Sequence, residues 1–192
     1  AVWKGAFFMI ELIKKEIHMN RQRGTAVSQL TLDDDFIVPD ALDDAVQILL
    51  SDGEVQIENS RIQGEKVLIR GKLVFRVLYR RESGGLQAMG GEIPFEETVN
   101  VPELSERDYT QIVWNIEDLN ITMIHSRKLS AKAVLTLTVR AESRVDAQAA
   151  ADVETDDVGL QVLKRSVPAA TLAVRRKDIY RVREEVSVSA NK

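Results

Sequence analysis

Two stretches of this chain alternate apolar and polar residues with a period of two, and they restrict it to antiparallel β-structure more firmly than anything else in the sequence. Val67, Ile69, Leu73, Phe75, Val77 and Tyr79 interleave with Lys66, Arg70, Lys72, Arg76 and Arg80. Leu129, Ala131, Ala133, Leu135, Leu137 and Val139 interleave with Ser130, Lys132, Thr136, Thr138 and Arg140. Successive side chains of a strand point to opposite faces, so each stretch reads as a long strand with one face in a core. Arg81-Glu82-Ser83-Gly84-Gly85 reads as a turn, Gly90-Gly91 as a bulge or bend, and Pro94 as the mark of an edge position. A further pair of strands is expected through Ile112-Trp114-Ile116 and Leu119-Ile121-Met123, with Trp114 in the core.

One helix is expected near residues 40–51. Asp40 suits its cap, Asp43 and Asp44 suit the positive end of its dipole, and Leu42, Ala45, Val46 and Leu49 share a face. Asp52-Gly53 would end it. The fold class read from these patterns is all-β, with β-sandwich-like antiparallel sheets and one short helix. Asp146 to Asp157 reads as a connector, and Leu160 to Val174 turns strand-like again.

The last part of the chain echoes an early part at a spacing of 150 residues. Leu30 aligns with Tyr180, Leu32 with Val182, Phe36 with Val186, Val38 with Val188, and Asp34-Asp35 with Glu184-Glu185. Such an echo reads as one complete module followed by the opening strand of a second copy. The organisation expected is therefore an N-terminal arm or an upstream remnant at 1–8, a β module at 9–158, and a connector with an opening strand at 159–192. Ile179, Tyr180, Val182, Val186 and Val188, together with the apolar arm residues Trp3, Phe7 and Phe8, are the candidate interaction residues.

Charge is unevenly placed. Between Asp33 and Glu58 there are nine acidic residues and no Lys or Arg, whereas Lys164 to Arg183 holds seven basic residues and one acid. Opposite signs suit the packing of one copy against the next, and they equally suit two solvated faces of one sheet. The net charge of -4 gives no reason to expect nucleic acid as a partner. The opening apolar run is broken by Lys4 and is too short to span a bilayer, so no transmembrane segment is expected.

Nothing in the sequence assembles into a catalytic or metal-binding motif. There is no cysteine, which excludes thiolate zinc sites and cysteine nucleophiles. His18 and His125, the only histidines, stand outside any metal-ligand spacing. Gly64 to Leu73 has the wrong glycine spacing for a phosphate loop and lacks its magnesium-binding hydroxyl. Asp33-Asp34-Asp35 would point to opposite faces of a strand and lacks the alternating ligands of a calcium loop. No catalytic, cofactor-binding or metal residues are assigned, and the chain is not expected to be an enzyme.

Several separated motifs carry a resemblance to a known family. Gln29 to Asp40 (QLTLDDDFIVPD), Gly71 to Tyr79 (GKLVFRVLY) and Gly91 to Thr98 (GEIPFEET) resemble the SPOCS domain of clostridial spore-envelope and spore-coat assembly proteins. Lys177 to Glu185 (KDIYRVREE) resembles the start of a following repeat. The resemblance implies a role in sporulation, with other spore-envelope proteins as partners. It also implies a place at the forespore surface in the mother-cell cytoplasm and then in the spore coat or envelope. In that family the repeats commonly precede a LysM module, and the best-known members bind a coat-morphogenetic ATPase. No LysM-like segment lies within these 192 residues, so neither peptidoglycan binding nor the ATPase contact carries over to any residue here.

Together these readings favour a structural and interaction protein that assembles by strand sharing, with itself as a homo-oligomer or filament among the partners. An envelope glycan- or ligand-binding module is the alternative. It would need a groove with aromatic platforms, and aromatic residues are 5% of the chain.

Overall fold

A computed structural model of the chain describes residues 10–156, 159–168, 170–174, 176, 180, 182–185 and 187. Six strands make up its regular structure: β1 (Ile10–Ile37), β2 (Ala45–Gln63), β3 (Lys66–Arg81), β4 (Leu86–Asn100), β5 (Tyr109–His125) and β6 (Lys128–Thr155). They form two three-stranded sheets, ordered β1-β6-β5 and β2-β3-β4. The chain divides into two units, Asn20–Arg144 and, separately, Ala1–Met19 with Val145–Lys192.

In the first unit the all-β expectation holds, and the reason is visible in the middle strand of each sheet. β3 and β6 have a strand on both sides, so neither can satisfy a side chain by turning it around an edge. One row of each is buried throughout: Val67, Ile69, Leu73, Phe75, Val77 and Tyr79 from β3, and Leu129, Ala131, Ala133, Leu135, Leu137, Val139 and Ala141 from β6. Both rows belong to one hydrophobic cluster, which Leu32 and Val38 from the β1 side, Val55 from β2 and Ile93, Phe95 and Val99 from β4 complete. Burial of a large aliphatic or aromatic side chain stabilises by roughly 1.5–3 kcal/mol. The clean period of two is thus the imprint of a two-layer fold on its two central strands.

Glycine shapes the core at one point of close approach. β4 pairs with β3 in unbroken register across Gly90 and Gly91, so no bulge forms there. Instead the Phe75 ring lies over Gly91: a Cβ added at Gly91 would sit 2.5 Å from Phe75 Cζ and 2.7 Å from Phe36 Cε1. The two rings meet edge to face, with centroids 4.7 Å apart. Pro94 does sit in a terminal strand, as expected, because β4 ends its sheet. The β3–β4 turn also follows its sequence, with Gly84 and Gly85 at positive φ and the Arg81 N–H donating to the Gly85 carbonyl.

The expected helix at 40–51 is absent; β2 begins at Ala45, and Pro39 to Asp44 form a tight turn in which the Leu42 N–H donates to the Pro39 carbonyl. Gly53, read as a helix stop, lies mid-strand opposite Phe75. The reason is tertiary. Gln47 and Ile48 pair with Arg80 and Tyr79 of β3, and Asp43 and Asp44 find partners far along the chain rather than at a helix end. The two segments expected at 112–123 are one strand, β5, irregular between Ile116 and Asp118. Trp114 is not core: it is 37% exposed, because β5 ends its sheet and no further strand covers that side.

In the second unit β6 runs to Thr155, where a connector was expected. Its alternation continues past the core through half-buried Val145 and Ala147, which overrides the helical propensity of the alanines. The Leu172 N–H donates to the His18 carbonyl, and the Lys164 ammonium lies 2.6 Å from Asp152. The described residues between Leu160 and Val174 lie in no strand, although the sequence pattern there is strand-like.

Phe75→Ala is expected to destabilise the protein by roughly 3–5 kcal/mol in urea unfolding. Gly91→Ala is expected to cost about 1–3 kcal/mol on its own. It should cost measurably less in a Phe75→Leu background, because the smaller side chain vacates the space that the new methyl needs; equal costs in both backgrounds would place the strain elsewhere.

Candidate interaction surface

A six-stranded, two-layer module has four terminal strands, and each must deal with a row of backbone groups that another chain can pair with. Two of them are guarded. β4 carries Gly90, Gly91 and Pro94, with Glu92 bound to Lys72 at 2.8 Å and Glu96 to Arg70 at 2.5 Å. β2 is broken by three register irregularities, between Ala45 and Gln47, Ile48 and Leu50, and Ile57 and Asn59. β1 is held at one end by ion pairs, with Asp35 2.7 Å from Lys128 and Asp33 3.0 Å from Lys132 on neighbouring β6, but from Thr25 to Leu32 it has no charge, glycine or proline. Between those limits β1 exposes mostly Thr25, Gln29 and Thr31 beside Val27.

β5 has a comparable open run, and unlike β1 it carries a part-exposed tryptophan there. From Tyr109 to Ile116 it pairs with β6 in unbroken register and contains no charge, glycine or proline. Val113 on its outer row is 41% exposed. Trp114 is on the same row as Ile112 and Ile116, which pack against the core, yet it is only partly covered. It therefore marks an open margin of the core next to a sheet edge. The first charges reached are Glu117 and Asp118, at the irregularity. Hydrogen bonds from the Asn115 and Thr136 side chains hold the Glu117 carboxyl below the usual carboxylate range, so it stays anionic.

The far end of β5 is anchored by one arginine. Arg127, in the turn between β5 and β6, donates from Nη1 to the Asp44 carboxylate at 2.7 Å and from Nη2 to the Val38 and Pro39 carbonyls at 3.1 Å and to Asp40 at 3.1 Å. Ser126 Oγ donates to the other Asp44 oxygen at 2.8 Å. Backbone bonds run in parallel, from the Val38 N–H to the Arg127 carbonyl and from the Ala45 N–H to the Ser126 carbonyl. The planar guanidinium serves the carbonyls that end β1 and the carboxylates that open β2 together, a pattern an ammonium cannot reproduce. Sequence reasoning missed this knot, since nothing near Arg127 in the chain marks it.

Beside the knot lies an open depression of about 460 Å³ lined by Asp40, Leu42, Asp43, Asp44, Glu82, Ser83 and Arg127. Three of its carboxylates are engaged: Ser83 Oγ and Arg81 both donate to Asp43, and Arg127 donates to Asp40 and Asp44. Neither this depression nor those lined by Asp52 to Gln56 and by Ala150 to Val153 has an aromatic side chain in its wall. Among the described residues no group of three or more acidic or histidine side chains is placed to hold a metal ion. His18 Nδ1 lies 2.7 Å from Asp146 Oδ1, but the Thr171 hydroxyl engages the His18 backbone and not its ring.

Of the residues predicted to interact, Tyr180 and Val182 are 84% and 88% exposed, and the described residues of their segment lie in no strand. Ile179, Val186, Val188, Trp3, Phe7 and Phe8 lie outside the described residues. β5 was not among the candidates. Its signal, an uncharged run of eight residues with a part-exposed tryptophan at a sheet end, becomes readable only once the strand order is known.

Residues 44–124 match the family model described as SipL, SPOCS domain. The matched stretch spans β2 to β5, and so includes both the Asp44 end of the knot and the β5 edge. No curated protein and no solved structure matches the chain.

The knot makes stability pH-dependent in a stated direction. Hydrogen bonds from Arg127 first, then Ser126, lower the Asp44 pKa from its ordinary 3.8. A carboxylate so depressed contributes stability that is fully present above its unfolded pKa and is lost as pH falls through the folded value. Asp44→Asn is therefore expected to flatten part of the acid limb of a stability-against-pH curve below about pH 4, leaving the shares of the other depressed carboxylates, Asp35, Glu117 and Asp152. Arg127→Lys is expected to lower the thermal midpoint despite keeping the charge; an unchanged midpoint would reduce the knot to a point-charge contact.

Proposed function

We infer from the SPOCS domain, the family to which residues 44–124 belong, that this sporulation-related protein is a non-enzymatic structural and interaction component of spore-coat or spore-envelope assembly. It works at the forespore surface in the mother-cell cytoplasm and remains in the coat or envelope. Its partners are other spore-envelope proteins, joined by addition of an extended segment to a sheet edge. The observation that carries this reading is β5: eight consecutive residues, Tyr109 to Ile116, in regular pairing on one side, uncharged, with Val113 and Trp114 part-exposed. Main-chain hydrogen bonds to such an edge supply affinity, and alternate side chains supply specificity.

The second class of function, binding of an envelope glycan, draws no support from the depressions, whose walls lack the aromatic platforms that sugars stack on. Among the described residues no helix is long and apolar enough to cross a membrane. Attachment by protein contact fits that composition.

A fluorescent fusion of the chain in sporulating cells is expected to collect at the forespore surface and to fractionate with the spore envelope. Trp114→Lys, with folding verified by circular dichroism, is expected to disperse it into the mother-cell cytoplasm. A wild-type fusion that stays diffuse throughout sporulation would overturn the reading.

A further inference from the structure

We propose that the segment of a second copy of this chain running from Arg175 to Val188 adds to the β5 edge as a strand, so that each chain presents one acceptor edge and one donor segment. The proposal rests on the edge-addition reading above and names the occupant of that edge.

Charge complementarity selects the occupant. The side of the module that ends in β2 and β5 is poor in cations: β5 carries Glu117 and Asp118 with no Lys or Arg, and β2 carries Asp52, Glu54 and Glu58 before its single Arg61. From Arg175 to Arg183 the donor has five basic residues and one acid. Glu117 is on the outer row of β5 with Asn115, and its depressed pKa keeps it charged there. A strand added with its apolar row inward presents Arg181 and Arg183 on that same outer row, within reach of Glu117.

The apolar pattern agrees with the charge pattern. Tyr180, Val182, Val186 and Val188 share one face in an extended conformation. On β5 the inward row is Ile112, Trp114 and Ile116, and the Trp114 side chain is the part of it left uncovered. An added strand places its inward side chains over that margin. Tyr180 and Val182, at 84% and 88% exposed, are among the most exposed large apolar residues described and have no covering surface of their own. The corresponding residues of the echo, Leu30 and Leu32, are already turned into the core from β1. Leu30 and Leu32 are thus covered, whereas their counterparts Tyr180 and Val182 are not.

Reciprocal charge reversal on the full-length protein tests the pairing. Wild-type protein is expected to associate with rising concentration in sedimentation velocity and light scattering. Glu117→Arg alone and the Arg181→Glu/Arg183→Glu pair are each expected to weaken association about fivefold or more, and Trp114→Ala about tenfold or more. Mixing the Glu117→Arg protein with the Arg181→Glu/Arg183→Glu protein is expected to restore association between the two species. A labelled peptide of residues 175–188 is expected to bind wild type saturably and to lose binding in Glu117→Arg. All variants are compared at equal helix-free circular dichroism and thermal midpoint, which separates loss of pairing from loss of fold. Wild type that stays monomeric and ignores the peptide would overturn the proposal, as would association indifferent to the reversals or not restored on mixing. If forespore recruitment nevertheless depends on Trp114, the edge still functions, and its occupant is a different protein.

Discussion

Everything in the Asn20–Arg144 unit depends on two side-chain rows, one from β3 and one from β6, being buried in the same core. Each row belongs to the middle strand of a three-stranded sheet, so each is held in register from both sides. That double constraint leaves no freedom for slippage: a shift by one residue would send Phe75, Tyr79 or Leu135 to solvent and bring arginine or threonine inward. The flanking strands then need only supply partial cover, which is why their sequences are free to carry bulges, glycine, proline and charge.

Against this core the Arg127 knot performs a different task. Between β1 and β2 the chain must leave one sheet and enter the other, and the backbone carbonyls at such a crossing have no ladder partners. Arg127 supplies donors to the Val38 and Pro39 carbonyls and ties the same crossing to Asp44 and Asp40. A side chain from the β5–β6 turn therefore closes the β1–β2 crossing. Because that turn is also the end of β5, the placement of the β5 strand and the integrity of the crossing are mechanically one matter.

Residues governed by their own strand were legible in the sequence. Val67, Ile69, Phe75, Val77, Leu135 and Leu137 are buried as their alternation requires, and the Gly84-Gly85 turn follows from its glycines. Residues governed by distant partners were not. Asp43 and Asp44 look like the acidic first turn of a helix, and what draws Asp44 into a turn is Arg127, 83 residues away. Gly91 looks like a bulge because local sequence cannot reveal an aromatic ring from the adjacent strand lying over it. Trp114 looks like core because size and apolarity do not report whether a strand is central or terminal. The candidate surface was illegible for that same reason: strand order, not composition, turns Tyr109 to Ile116 into an edge.

The unequal guarding of the four terminal strands has a consequence for stoichiometry. A module open on all its edges would pair promiscuously and grow into sheets or tangles. With β2 and β4 blunted by bulges, charge or proline, the open backbone lies at the ends of the β1-β6-β5 sheet, and Tyr109 to Ile116 of β5 is the run that also carries a part-exposed tryptophan. An array in which each chain gives one segment and receives one at that run would be unbranched: its length would be set by how many chains follow one another, and its width by a single module.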